Sequence, residues 1–297
     1  MPVQTPSLEQ QISNVSATAF ITLFARAAET QSAHPVIDDP QAVALAARIR
    51  PLLAQSDRDL CQRLAAGRLE PLVVVTVSQR ARCFDRHVRN FCARQPAAGP
   101  APMVVNLGCG LDTRFFRIDD GRLLYYDLDL PPMIALKQTL VAEQPRYRFI
   151  ASSVLDFAWM DALAELGERD FIFLAEGLFM YLSPADVQAL VTALAQRFPG
   201  SELVAEVFNN FWLREPWKGW VNRKMQRRLG FSADAGFQSG VDDERHFERW
   251  GHGIRFLDDW AYYDDRDAKL RSLNWMRHVP FLRHMQFTVH YIIDTPE

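Results

Sequence analysis

In the stretch VVNLGCGLDTRFFRI, residues 104–118, a buried-strand pattern breaks at Gly108-Cys109-Gly110 and gives way to charge. Glycines on both sides of such a turn let a ligand approach the main chain and permit backbone angles that other residues avoid. An apolar run, a G-x-G turn and a helix to follow resemble the first crossover of a nucleotide-binding βαβ unit. Yet Thr113 stands where the dinucleotide fingerprint has its third glycine. Asp112 beside the turn repels a diphosphate and suits a ligand with an ammonium group; equally, its carboxylate is placed to cap the coming helix. Asp127 and Asp129, in YYDLDL, lie 17 and 19 residues beyond Gly110 on one strand face and offer carboxylates to the hydroxyls of an adenosine ribose. S-adenosylmethionine joins that ribose to an ammonium and a sulfonium and carries no phosphate. On charge, it fits this turn better than NAD.

Such a turn needs a sheet to hold it. MVVNLG, LLYYDLDL, YRFIASS, the 171–175 part of FIFLAEGLFMYL, and ELVAEVF at 202–208 read as five strands. Helical segments separate them, among them PPMIALKQTLVAEQ and SPADVQALVTALAQRF, the latter with Ser183 as N-cap and Pro184 at its first position. Strands alternating with helices predict an α/β domain with a mostly parallel sheet covered on both faces. GIRFLDDW and MQFTVHYIID supply two more strands around a helix near 266–277. Upstream, residues 8–95 read as mostly helical, with LVVVTVSQRARCFDRHVRNFCARQ one long helix, and QPAAGPAP at 95–102 marks the break. Residues 1–102 are thus expected to form a helical cap packed on a 103–297 core. The Trp-rich stretch at about 209–251 is expected to form a helical lid.

The composition narrows the function classes. Of 297 residues, 48% are hydrophobic and 23% charged, which suits a globular protein. Thirty-three basic against 36 acidic residues leave a net charge of −3, so no general field favours nucleic acid. No apolar run approaches the ~20 residues of a membrane span, and MPVQTPSLEQ lacks the features of a signal peptide, so the expected address is cytoplasmic. Cys61, Cys83, Cys92 and Cys109 show no C-x-x-C spacing and read as reduced thiols, Cys109 as a small residue beside the ligand. The seven histidines, His246, His252, His278, His284 and His290 among them, show no metal-ligand spacing, and no metal is expected.

VVNLGCGLDTRFFRI, YYDLDLPPMIALKQ and AEGLFMYLSPADV together resemble the leucine carboxyl methyltransferase family, in its bacterial polyketide O-methyltransferase branch. The likeness runs from about residue 15 to the C-terminal DDWAYYDDRDAKLRSLNWMRHVPFLRHMQFTVHY. It implies the class I methyltransferase fold, a Rossmann-like sheet of seven strands with the last antiparallel, and S-adenosylmethionine as cofactor. It places Gly108 and Gly110 against the methionine part and Asp129 on the ribose, with Asp127 sharing that contact. Asp156 in SVLDF then reads the adenine amino group, with Phe157 beside the ring, and Glu176 faces the methionine end. Arg80 or Arg82 meets the cofactor carboxylate. GCG and DLDLP replace the family's usual GAG and EVDLP, keeping small size and negative charge. The implied activity is O-methylation of a carboxylate on a small aromatic or polyketide-like acceptor. A carboxylate is ionised near pH 7 and needs no general base, whereas a phenol benefits from one. A protein C-terminal carboxylate as acceptor, or a cofactor-binding regulator without turnover, stay open as alternatives. The oligomeric state is not encoded in any motif.

Overall fold

The computed structural model describes residues 8, 19–167, 169–215, 217–219, 221, 223, 236–251 and 253–294. Helices α1 (Ala19–Thr30), α2 (Pro40–Ala54), α3 (Asp59–Ala65) and α4 (Pro71–Arg94) precede the sheet. Then come β1 (Met103–Leu107), α5 (Phe115–Ile118), β2 (Leu124–Asp129), α6 (Pro131–Leu140), β3 (Tyr147–Ala151), α7 (Ala158–Ala164) and β4 (Phe171–Ala175). The chain continues through α8 (Pro184–Arg197), β5 (Glu202–Phe208), β6 (Ile254–Ala261), α9 (Pro280–Arg283) and β7 (Gln286–Ile293).

Local chemistry sets the main boundaries. Asp39 accepts from the Ala42 amide at the start of α2, and Ser183 accepts from the Asp186 amide at the start of α8, each followed by proline at the first helical position. The β-branched beginning of α4 is overruled by its apolar stripe, Val75, Phe84, Val88 and Phe91, which is buried at helical spacing.

The strands form one seven-stranded sheet in the order β3-β2-β1-β4-β5-β7-β6. β1 to β5 pair in parallel and β7 is antiparallel to both β5 and β6, the arrangement the resemblance implies. β1, β4 and β5 are buried along their whole length because both faces are covered. Alternation sorts their side chains. Val104, Ile172, Leu174 and Val204 join the core shared with α1 to α4, and Val105, Phe173, Leu203 and Ala205 join the core under α7 and α8.

Two expected helices differ. The helix after the glycine turn is a single turn, α5, because Leu111 to Arg114 are drawn into contacts with α1, α2 and α4. The expected helix at 266–277 is broken into short 3₁₀ turns, Ala268–Leu270 and Asn274–His278, the first capped by the Asp267 side chain. Within the expected lid, Asn210–Leu213 and His246–Trp250 are 3₁₀ turns, and Asn209 and Val241 bridge to each other. Residues 216, 220, 222 and 224–235 of that stretch lie outside the described residues, as do 9–18 of the expected N-terminal cap.

Candidate functional site

Strand order reverses between β1 and β4, and a cavity of about 570 Å³ opens at the carboxyl ends of the strands there. Gly108 and Cys109 hang the glycine turn on the end of β2, donating their amides to the Leu128 carbonyl at 2.8 and 3.1 Å. Gly108 has φ +65°, a left-handed backbone that favours glycine, and a Cβ on it would sit 2.9 Å from Leu178 Cδ1, which would have to shift. Asp129 ends β2 on the cavity wall and accepts from the Gly110 amide at 2.8 Å and the Leu130 amide at 2.7 Å. Burial raises its pKa above the ordinary aspartate value, and those two amides only partly offset it.

Next to the turn lies a buried network of charge. Arg80, from α4, donates through Nε to Glu176 at 2.8 Å and through Nη1 to both oxygens of Glu206 at 3.1 and 2.8 Å. Arg114 reaches Asp85 at 2.8 Å, Asp112 at 2.6 Å and Glu176 at 2.5 Å. Arg117 clasps Asp85 and reaches Asp39, which also holds Arg26. The LDTR segment is the node of this network. Leu111 offers its carbonyl to Arg26, Thr113 its hydroxyl to Asp39, and Asp112 accepts from the Thr113 and Arg114 amides.

Asp112 is a member of this network. It lines the cavity, but its charge is answered by Arg114 and Arg117, which hold it far below the carboxylate range against the penalty of burial. The cap-like bonds to Thr113 and Arg114 are present, although the residue flanking α5 is Arg114. The negative bias of the site belongs to the ensemble. Arg26, Arg80, Arg114 and Arg117 face Asp39, Asp85, Asp112, Glu176 and Glu206, one carboxylate in excess, with Asp129 beyond them.

The other end of the cavity is apolar. Met180, Phe208, Val221 and Phe237 form a small core there, with Leu282 and Met285 against it. Tyr262 lies between the two ends, its hydroxyl donating to Glu206 at 2.6 Å beside Gln286, which donates at 2.7 Å. Tyr181 lines the cavity, and burial raises its phenol. Burial raises the Cys109 thiol above its usual range, which disfavours the thiolate form that a nucleophile needs. No histidine is among the described lining residues.

Of the expected site residues, Arg80, Gly108, Gly110, Asp112, Asp129 and Glu176 line the cavity. Arg82, Asp127, Asp156 and Phe157 do not. Arg82 lies two residues along the helix from Arg80, about 200° around its axis, and meets the Val36 carbonyl and Asp265. Asp127 is 1% exposed and holds Asn106, Lys137 and the Tyr147 hydroxyl, one layer behind the wall. Asp156 is exposed past β3, with its side chain accepting from the Ala158 amide, and Phe157 packs on the α7–α8 core. The sequence reading missed Glu206, Arg114 and Tyr262. An acid inside the apolar ELVAEVF was the one signal for Glu206.

A cationic ligand with a ribose fits this arrangement. Gly110, where an added Cβ would meet nothing within 4 Å, leaves room at the main chain, Asp129 lines the cavity wall, and Glu176 with Arg80 presents opposite charges to a zwitterion.

Comparison with known proteins agrees. Residues 19–195 match the leucine carboxyl methyltransferase family. The chain is 29% identical over 289 residues to the tetracenomycin polyketide synthesis O-methyltransferase TcmP of Streptomyces glaucescens, covering 95% of this chain and 97% of that one. It is 28% identical to the S-adenosyl-L-methionine-dependent methyltransferase dpfgK of Gibberella zeae, over 87% of this chain and 86% of that protein. A putative S-adenosyl-L-methionine-dependent methyltransferase of Mycolicibacterium vanbaalenii is 31% identical over 65% of this chain and 67% of its own. Among solved structures, a DUF574 family protein of Streptomyces avermitilis shares the fold, with a TM-score of 0.55 and 14% identity over 95% of this chain and 99% of that chain. The chain belongs to the leucine carboxyl methyltransferase family and is an S-adenosylmethionine-dependent methyltransferase.

Proposed function

We propose that this methyltransferase esterifies the carboxylate of a small apolar acid, aromatic or polyketide-like, held at the apolar end of the cavity. S-adenosylmethionine, when bound, supplies an electrophilic methyl group on a sulfonium. The chain's own residues divide the remaining work. Asp129 accepts from the ribose hydroxyls, and Gly108 and Gly110 admit the methionine part against the main chain. Glu176 and Arg80 answer its ammonium and carboxylate, while Asp112 braces the turn at the cavity wall and Asp127 braces β2 from behind. The Ser152 amide donates to the Asp129 carbonyl, so the loop after β3 adjoins the ribose site, and Asp156 and Phe157 on that loop are assigned to the adenine end.

One observation supports the choice of acceptor: among the described residues, no side chain at the apolar end of the cavity is set up as a general base. Glu206 is occupied by Arg80, Tyr262 and Gln286, Glu176 by Arg80 and Arg114, and the lining thiol and phenols are shifted away from ionisation by burial. An acceptor whose oxygen is already anionic at pH 7 needs only alignment and exclusion of water. Met180, Phe237 and Leu282 provide the dry wall against which an apolar acid would lie. The name of the Streptomyces glaucescens relative, a polyketide O-methyltransferase, supports the same substrate class.

The test is transfer of labelled methyl to a panel of aromatic acids, matched phenols and peptides ending in leucine. Esters release methanol in mild base and methyl ethers do not. Base-labile label on the small acids is the expected result. Label on phenols alone, or on peptides alone, overturns the reading.

A further inference from the structure

At the other end of α4 from the cavity mouth, the fold brings together two histidines that the sequence spacing did not connect. His87 sits two turns after Arg80, and its ring meets His290 of β7 edge-on, with centroids 4.7 Å apart at 69°. Asp258 of β6 is the register partner of His290 and follows the irregularity in that strand pair. One ligand atom from each of His87, His290 and Asp258 lies within 4.8 Å of the others. We propose that these three residues form a binding site for a divalent late-transition ion, with Zn²⁺ the expected occupant.

The chemistry rests on His290. Its Nε2 lies 2.8 Å from Glu202 Oε2, and Glu202 is itself held by Arg94. A carboxylate only accepts, so Nε2 carries the proton and the neutral ring turns its Nδ1 lone pair the other way. That Nδ1 is buried and has no hydrogen-bond partner, and it faces Asp258 Oδ1 at 3.5 Å. A carboxylate behind a histidine whose second nitrogen is vacant is how metal-binding histidines are oriented and made more basic. Bonds of ~2.0–2.2 Å to a tetrahedral ion would separate ligand atoms by about 3.4 Å, so the His290–Asp258 spacing already suits one. Asp258 is exposed, which gives the ion a path from solvent and leaves a coordination position for water. Two imidazoles with one carboxylate favour zinc, cobalt, nickel or copper over magnesium or calcium.

Titration of the full chain with Co²⁺, followed by its visible spectrum and by Zn²⁺ competition, tests the site. One equivalent of tetrahedral-type Co²⁺ displaced by Zn²⁺ is expected. Asp258→Asn, an exposed change that spares the core, and His87→Gln should each weaken Zn²⁺ binding about tenfold or more, the size of effect known for altered metal shells. His34→Gln, on the surface, should leave it unchanged. The proposal is overturned if Zn²⁺ does not bind, or if it binds Asp258→Asn and His87→Gln as tightly as the parent protein. In those cases His290 is a protonated clasp between Glu202 and Asp258.

Discussion

The two ends of the cavity are built on opposite rules. At the charged end, arginines and carboxylates from α1, the N-cap of α2, α4, the glycine turn, α5, the residue after β4, and β5 are locked together, and every guanidinium there serves more than one acceptor. At the apolar end, side chains from separate segments meet through apolar contact, and main-chain bonds such as Gln238 amide to Met180 carbonyl hold the segments side by side. Planar guanidinium pairs specify position closely, whereas apolar contacts tolerate exchange of similar volumes. On the proposed reading, the charged end is a fixed mould for the cofactor, and the apolar end is free to change acceptor.

Four experiments bear on that contrast. Arg114→Met strips one buried guanidinium from Asp85, Asp112 and Glu176 and should cost about 3–5 kcal/mol of stability. Urea unfolding measures it, and a loss near zero would mean that the network is not what fixes this end. Gly108→Ala meets Leu178 and a left-handed backbone costing about 1–2 kcal/mol. It should lower affinity for S-adenosylhomocysteine by calorimetry at least tenfold, about 1.4 kcal/mol; an unchanged affinity would show that the turn is not a contact surface.

Asp129→Asn should weaken the same binding about tenfold, since hydrogen bonds to a charged group are worth ~1.5–3 kcal/mol. The pH profile sharpens this. With its pKa raised by burial, Asp129 stabilises the unliganded fold below the ordinary aspartate value and loses that contribution as pH rises through its own. Ribose binding needs the ionised form, so affinity should climb over the same window in the parent protein and stay flat in Asp129→Asn. Leu282→Ala, at the apolar end, should have the smallest effect on the cofactor, within about twofold, since ~0.4 kcal/mol is below what distant sites share. It should instead raise the acceptor KM. A matching loss of cofactor affinity would merge the two ends into one unit.

The same contrast explains what could be read in advance. β1 to β5, the long α4 and the capped α8 follow from periodicity and end signals, because local pattern and tertiary burial agree there. Gly108 and Asp129 follow from their places at strand ends, and Glu176 from the family resemblance. Glu206 did not, since what makes it a site residue is Arg80, Tyr262 and Gln286, all remote in sequence. Arg80 and Arg82 were indistinguishable until the phase of α4 against the sheet was known. Asp127 shares a strand face with Asp129, but Lys137 and Tyr147 claim it first. His87 and His290 looked solitary because a helix and a strand from distant parts of the chain bring them into contact.

The placement of β7 has a consequence for how the molecule is made. β7 follows β6 in the chain but sits between β6 and β5, bonded to both. While a ribosome is still extending the chain, β6 has emerged with no neighbour to join, and β5 presents a bare edge to solvent. Sheet assembly on that side waits for residues 286–293, leaving newborn chains exposed to edge-to-edge association until the final stitch is placed.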